Sequence, residues 1–407
     1  MPRPRIAVVS PFIDKCHGTE RRVAEWVSRL AGDYEFHVYS ERVNDLDLSK
    51  IVWHRVHGIP GPHLIKYLWW FAANHLQRWW DRRFRGLRAD LVYSPGINCM
   101  DAGAISVHIV FAEFYRQIQP ELRFRQHPVS FWPRLLHRKL YYRFIISLER
   151  RIYSRMDTSL ILIARKTAED LKRFYGRTDT LPVVYLGLDH QIFNPEARKA
   201  LRSNARKQLE LEEGAFVLLL IGNDWRKKGL ATILEALKNL KNARLHLLVA
   251  GQDDSRPYQK QIQEYSLDGK VHFLPLRPDV IAYFAAGDVY VGPSVEDTFA
   301  QPPAEAMACG LPVITSVTNG TSEVMTDGVD GLILEDPTDA EELARLIRRL
   351  YEDAEFRRRL GENAARTAKQ YTWENNAAEM RALFEQARRV RDGASPAVAA
   401  RLQSPKA

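Results

Sequence analysis

An α/β architecture with two doubly wound parallel sheets is the fold class this sequence predicts, and three observations predict it. Apolar, β-branched runs of strand length alternate with helix-like stretches along the chain, the alternation that builds parallel sheets with helices on both faces. The 407 residues suffice for two domains of ordinary size, each with its own core. The alternation also runs through twice, on either side of a polar stretch at 187–213 that contains Pro195. A hydrophobic share of 45% and a charged share of 27% fit a globular chain and exclude a disordered one.

The elements follow in order. "RIAVVSPF" reads as a buried parallel strand, and the loop "IDKCHGTER" leads into the helix "RRVAEWVSRLAG", with Gly32 as its left-handed stop. "YEFHVYS", "ADLVYS", "AISVHIVF", "TSLILIA" and "PVVYLG" are further strands, separated by helical stretches. In the second half the strands are "AFVLLLIGND", "ARLHLLVAG", "KVHFLPL", "VYVGPS", "PVITS" and "GLILED". Its helices are "LATILEALKNL", "PDVIAYFAAG", "PPAEAMACG" and "TDAEELARLIRRLYED", the last with Thr338 as N-cap. The reading gives Rossmann-like domains at 1–188 and 189–372, a helix at 373–392 packing back on the first, and a disordered tail at 393–407. Two such domains are expected to enclose a ligand-binding cleft.

Charge and cysteine usage narrow the class. Cys16, Cys99 and Cys309 are far apart, without the spacing of a zinc site or a disulfide framework, and fit a reducing compartment. The apolar run before Asp14 is too short for a signal peptide, and no stretch approaches 18 uninterrupted apolar residues. These features point to a cytoplasmic protein, attached at most to a surface. The net charge is +9, and residues 61–155 account for all of it, with sixteen Lys or Arg against six Asp or Glu. That asymmetry implies a phosphate-rich or anionic partner for the first domain.

The chemistry concentrates in "PSVEDTFAQPPAEAMACG", residues 293–310. Pro302 and Pro303 suit the first turn of a helix, where a missing N–H costs nothing. Glu305 then falls in that first turn and Asp297 in the loop before it, with seven residues between them. Carboxylates so placed pair with vicinal hydroxyls, and a helix N-terminus stabilises nearby negative charge. Here the chain resembles the retaining glycosyltransferases of family 4, whose two-Rossmann-domain architecture is called GT-B. The family's signature is an acid, seven residues, Glu, and then Ala-Met-Ala-Cys-Gly-x-Pro-Val-Ile; this sequence reads "DTFAQPPAEAMACGLPVI". The resemblance implies that Asp297 holds the donor sugar, that Glu305 holds the nucleotide ribose, and that Thr298, Phe299, Ala300 and Gln301 belong to the donor-binding segment. Asp stands where the family usually has Glu, and Glu296 competes for that role.

Other stretches carry the same resemblance. "IGNDWRKKGLATILEAL" is similar to the family's strand–loop–helix whose Lys-Gly neutralises the donor diphosphate, which implies Lys228 with Lys227 as helper; Asn223 stands where many members have Arg. "YLGLDHQIFNP" resembles a structural connector, and "VTNGTSEVMTDGVDGLIL" a late turn with Glu323 near the ribose or the domain interface. Asn319-Gly320-Thr321 matches a glycosylation acceptor only formally. "CHGTERR" resembles the glycine loop after the first strand, which implies that Gly18 lets the backbone approach a phosphate or the acceptor. "AISVHIVFAEF" places His108 where the family keeps a His facing the donor sugar.

The resemblance implies transfer of a sugar from a nucleotide diphosphate sugar with retention, by same-face attack assisted by leaving-group stabilisation. No metal is expected, because no His/Cys ligand cluster and no hard-cation site with several carboxylates is visible in the sequence. A sugar-nucleotide epimerase of the same fold and a soluble-acceptor transferase are the alternatives. An NAD-dependent oxidoreductase is disfavoured by the lack of G-x-G-x-x-G after the first strand, and nucleic acid by the lack of a fold for it. In residues 66–85, helical spacing gathers Trp69, Ala72, Leu76, Trp80 and Phe84 on a stripe expected to pack on the sheet. Tyr67, Trp70 and Phe71 fall opposite, with Arg78, Arg82 and Arg85, the make-up of an interfacial membrane helix. The alternative is that the aromatics are core and the arginines a solvated face. With the aromatic and basic stretch at 123–139, this suggests an anionic membrane surface and a glycan or lipid-linked acceptor, such as a lipopolysaccharide core, reached from the inner face of the cell membrane.

Overall fold

Alternating strands and helices build two α/β units in the computed structural model, which describes residues 3–15, 18–126, 128–241, 244–277 and 279–391. The first unit runs to Tyr185 and includes the stretch from Trp373; the second runs from Leu186 to Thr372. The expected tail at 393–407 lies outside the described residues.

The first unit holds β1 (Arg5–Val9), β2 (Phe12–Ile13), α1 (Gly18–Leu30), β3 (Glu35–Ser40), β4 (Arg42–Val43), β5 (Ile51–Arg55), α2 (His63–Phe84), β6 (Leu91–Pro95), β7 (Ala104–Val107), α3 (Phe111–Ile118), α4 (Trp132–Tyr153), β8 (Ser159–Leu162) and α5 (Lys166–Tyr175). The second holds α6 (Pro195–Gln208), β9 (Phe216–Ile221), α7 (Leu230–Leu240), β10 (Leu245–Ala250), α8 (Arg256–Glu264), β11 (Val271–Leu274), α9 (Ile281–Ala286), β12 (Val289–Gly292), α10 (Gln301–Ala308), β13 (Val313–Ser316), β14 (Leu332–Leu334), α11 (Ala340–Glu352) and α12 (Ala354–Ala368). The chain then returns to the first unit as α13 (Trp373–Arg391).

Each unit is built on six parallel strands, in the orders β5-β3-β1-β6-β7-β8 and β11-β10-β9-β12-β13-β14. Ile6 on β1 lies between Phe36 and Leu91, and Leu218 on β9 between Leu247 and Val289. Helices cover both faces, so the central strands read as unbroken apolar runs: all six residues of β9 and of β10 are buried. In each sheet the strand order reverses beside the central strand, between β1 and β6 and between β9 and β12. A crevice forms at the C-terminal ends of such a pair, the usual ligand position in open α/β sheets. Trp26 of α1 shows what holds the first core. Its ring meets Phe36 at 5.6 Å, Tyr93 at 4.9 Å and Phe384 of α13 at 5.1 Å between centroids. Truncating a buried Trp of this kind costs about 3–5 kcal/mol.

The structure corrects several expectations. Gly32 is not left-handed; α1 ends at Leu30, whose carbonyl accepts the N–H groups of Asp33 and Tyr34. "PVVYLG" makes one bridge, Val183 to Leu162, rather than a strand, while the unpredicted β5 pairs with β3 along five residues. Asp339, not Thr338, caps α11, because its carboxylate reaches the Glu342 N–H at 2.9 Å while the Thr338 hydroxyl donates to Asp336. The two faces of α2 are exchanged. Trp70, Asn74 and Asp81 are buried and Tyr67 and Phe71 pack on the core, whereas Trp69, Leu76, Trp80 and Phe84 are exposed. Polar anchors decide the face: Asp81 accepts from Tyr39 at 3.1 Å and lies 3.2 Å from His54, and Asn74 donates to the Asn98 carbonyl.

Candidate active site

In the second unit the strands flanking the order reversal, β9 and β12, each end in a loop, and those two loops carry the predicted donor residues. Val295 N–H donates to the Lys227 carbonyl at 2.7 Å, which ties one loop to the other. Gly229, at φ +81°, makes the approach feasible: a Cβ there would stand 2.1 Å from the Pro293 carbonyl oxygen. The stem of Lys228 crosses Gly222, where an added Cβ would meet its Cε at 3.1 Å. Lys228 Nζ then reaches Asp297 Oδ2 at 2.5 Å, and Lys227 Nζ lies 3.8 Å from Glu296 Oε2. Two lysine–carboxylate pairs thus stand side by side at the crevice. Lys228 and Asp297 remain partly open, at 13% and 21% side-chain exposure, so a ligand can reach both.

The turn after β13 braces the acidic loop. Asp297 forms a backbone bridge with Asn319, its N–H donating to the Thr318 carbonyl and its own carbonyl accepting from Gly320. Asn319 is 1% exposed; its Oδ1 accepts the N–H groups of Thr321 and Ala300, which explains why a glycosylation motif there is only formal. The Thr321 hydroxyl donates to the Ala300 carbonyl at 2.7 Å. Sequence reasoning found none of this bracing; the Asn-Gly-Thr turn was its visible signal. Phe299 and Ala300 are buried, and Phe299 joins an apolar group with Leu188 and Met307. Thr298 and Gln301 are partly buried. Gln301 Nε2 and Glu296 Oε2 are buried without a hydrogen-bond partner among the described residues.

α10 starts at Gln301 with Pro302 and Pro303 in its first turn, and its N-cap residue Ala300 supplies no side chain to the helix end. Glu305 is the fifth helical residue, so it sits in the second turn rather than the first, and it is buried. Burial raises the pKa of the Tyr290 hydroxyl, and the charges of Asp297 and Glu305 both add to that rise. Among the described residues no three or more His, Cys, Asp or Glu are grouped to hold a metal ion.

In the first unit, Gly18 opens α1 and Thr19 follows it; the Thr19 hydroxyl lies 3.2 Å from His108 Nδ1, just beyond β7. Structure therefore brings the glycine loop and His108 together. His108 Nε2 is buried and has no hydrogen-bond partner among the described residues. Burial first, and then the Arg22 guanidinium, push its pKa down to about 3, so the ring is neutral at physiological pH. Arg22, unremarked in the sequence, is itself fully buried on α1, donating to the Val184 carbonyl at 3.0 Å.

Residues 202–367, within the second unit, match the family model described as glycosyl transferases group 1. The chain is 27% identical over 232 residues to the lipopolysaccharide glucosyltransferase WaaG of Escherichia coli, covering 55% of this chain and 61% of that protein. It is 31% identical over 235 residues to the D-inositol 3-phosphate glycosyltransferase of Pseudarthrobacter chlorophenolicus, covering 55% of each. The match thus spans only about half to three fifths of these relatives. The crystal structure of WaaG superposes with a TM-score of 0.75 at 20% identity, covering 96% of this chain and 100% of that one. Anabaena HepE in complex with UDP-glucose gives 0.69 at 19%, covering 94% and 99%. The fold is GT-B.

Proposed function

We propose that the protein is a retaining glycosyltransferase that moves a sugar from a nucleotide diphosphate sugar to a glycan or lipid-linked acceptor. The observation that carries this reading is the Lys228–Asp297 pair, held at 2.5 Å where the strand order of the second sheet reverses. As the glycosidic bond breaks, negative charge builds on the departing diphosphate; Lys228, with Lys227 beside it, neutralises that charge in place of a metal. Asp297 accepts hydroxyls of the donor sugar, and Glu305 those of the ribose, the pattern two carboxylates suit. His108, neutral at physiological pH, hydrogen-bonds substrate through Nε2 and does not act as a cationic acid. The acceptor attacks from the face the diphosphate leaves, which retains the anomeric configuration. That WaaG acts on lipopolysaccharide supports a cell-surface glycan as the product class.

The acceptor side is proposed to work at the inner face of a membrane. Ile65, Leu68, Trp69, Leu76, Trp79, Trp80 and Phe84 form an exposed apolar face along α2, with Lys66, Arg82, Arg83 and Arg85 exposed on the same helix. Rings at headgroup depth and cations for anionic lipid are what an interfacial helix requires. No helix among the described residues is long and apolar enough to cross a membrane. The test of the catalytic reading is incubation with sugar-labelled and base-labelled nucleotide sugars in excess chelator. Label carried from the sugar to an acceptor is expected; a free epimerised sugar, or activity only with added magnesium or manganese, contradicts it.

A further inference from the structure

The first unit carries a recess of about 340 Å³ that the donor reading leaves unused. His63 at the start of α2, Phe111 at the start of α3, and His137, Arg138, Tyr141 and Tyr142 on α4 line it. Tyr141 stands edge-on to His63 with centroids 4.5 Å apart, and Tyr142 tilts against Phe111 at 6.5 Å. These rings provide flat apolar surface with hydroxyls at the edge. The hydroxyls of Tyr141 and Tyr142 and the guanidinium of Arg138 make no hydrogen bond to another described residue, and no lining residue is acidic. His137 Nε2 accepts the Leu64 N–H at 3.3 Å, which brings the first turn of the 22-residue α2 to the rim.

The recess is built rather than incidental. Glu149, fully buried on α4, accepts the N–H groups of Phe111 and Ala112 at 2.9 and 3.2 Å and the hydroxyl of Tyr175. The α3 N-cap, Val110, supplies no side chain to its own helix, so Glu149 caps α3 from α4 and fixes the spacing of two walls. A preformed pocket of mainly aromatic lining with a few convergent polar groups is the usual form of a small-molecule site.

We propose that this recess holds the acceptor by a sugar ring that bears a phosphate, an assignment that rests on the transferase reading above. The ring lies on Tyr141, Tyr142 and Phe111, and the phosphate takes Arg138 and His63 at the start of α2. A neutral sugar leaves the Arg138 guanidinium without a counter-charge, and a bare lipid chain makes no use of the two tyrosine hydroxyls. The volume lies at the lower end of the range of about 300–1,000 Å³ for ligand pockets, room for one sugar with its phosphate.

The test is calorimetric titration of the full chain, without donor, by glucose 6-phosphate, octyl glucosyl phosphate, glucose and inorganic phosphate. At least one sugar phosphate is expected to bind about tenfold more tightly than glucose or phosphate alone. A tighter diester marks a lipid-linked phosphate, and a tighter monoester a phosphorylated glycan. Arg138→Ala and Tyr142→Phe should each weaken that binding about tenfold with melting temperatures unchanged, while Arg345→Ala, on the exposed face of α11, leaves it intact. Equal affinity for all four probes, no binding, or wild-type binding in both pocket variants overturns the proposal. Because no donor is present, that outcome leaves nucleotide-sugar transfer standing, and a failure of transfer leaves this binding measurable.

Discussion

Lys227 and Lys228 are adjacent in sequence, as are Glu296 and Asp297, yet only Lys228 and Asp297 reach hydrogen-bonding distance. The backbone bridge from Asp297 to Asn319 fixes which of the two acids meets Lys228. Asp297→Asn should therefore lower turnover of the sugar nucleotide at least tenfold, about 1.4 kcal/mol of transition-state stabilisation, while affinity for the bare nucleotide stays within twofold. A larger loss from Glu296→Gln in the same assay shifts the donor-sugar role to Glu296. His108 permits a prediction about acid. Its folded pKa, about 3, lies below the ordinary histidine value, so its contribution to stability is full above about 6.5 and is lost as pH falls towards 3. Denaturant melts of His108→Asn should show a shallower loss of stability than the parent between pH 6 and 4. The difference is at most about 1.4 kcal/mol per pH unit. Identical slopes show that His108 is as readily protonated in the folded chain as in the unfolded one.

Loop geometry, rather than side-chain chemistry, sets the element scale. Gly229 joins a left-handed backbone to a contact that leaves no room for a methyl group. Gly229→Ala should cost about 2 kcal/mol or more in thermal or denaturant melts, and should lower turnover by separating Lys228 from Asp297. An unchanged melting temperature argues against the close approach. The motif residues Asp297, Glu305 and Lys228 were legible because their spacing within strand–loop–helix units is local. Helix α2 was legible as a helix but not in its orientation. Aromatic rings occupy both faces, so apolar periodicity selects neither, and the face is set by long-range partners such as Tyr39, His54 and Asn98. A buried Asn74 and Asp81 on an otherwise aromatic helix were the local signal. β5 was missed because "IVWHR" has two charged or titratable residues in five, and burial of His54 depends on Asp81. The corrected face makes its own prediction: Trp79→Ser with Trp80→Ser, both over half exposed, should reduce sedimentation with anionic vesicles about tenfold without altering stability. Equal binding to neutral and anionic vesicles by the parent chain removes the membrane reading.

At the scale of the molecule, one strand order serves two units, and the second carries the group 1 domain match over 202–367. The repetition was legible because parallel strands buried on both faces are written as continuous apolar runs. The helix at 373–392 was expected to pack back on the first domain, but not the residues by which it does so: α13 completes the first core through Met380, Leu383 and Phe384, on contacts with α1 and β6 more than 280 positions away in sequence. Recess and donor loops likewise use residues far apart in the chain, which no local pattern reveals. The central claim is that the Lys228–Asp297 crevice binds a nucleotide diphosphate sugar and releases its diphosphate during transfer. The measurement that tests it most directly is nucleoside diphosphate release from a panel of nucleotide sugars, in excess chelator, by the parent chain and by Lys228→Ala. The account predicts metal-independent release from at least one donor, reduced tenfold or more by Lys228→Ala with the fold intact; full activity of the variant, or no release from any donor, contradicts it.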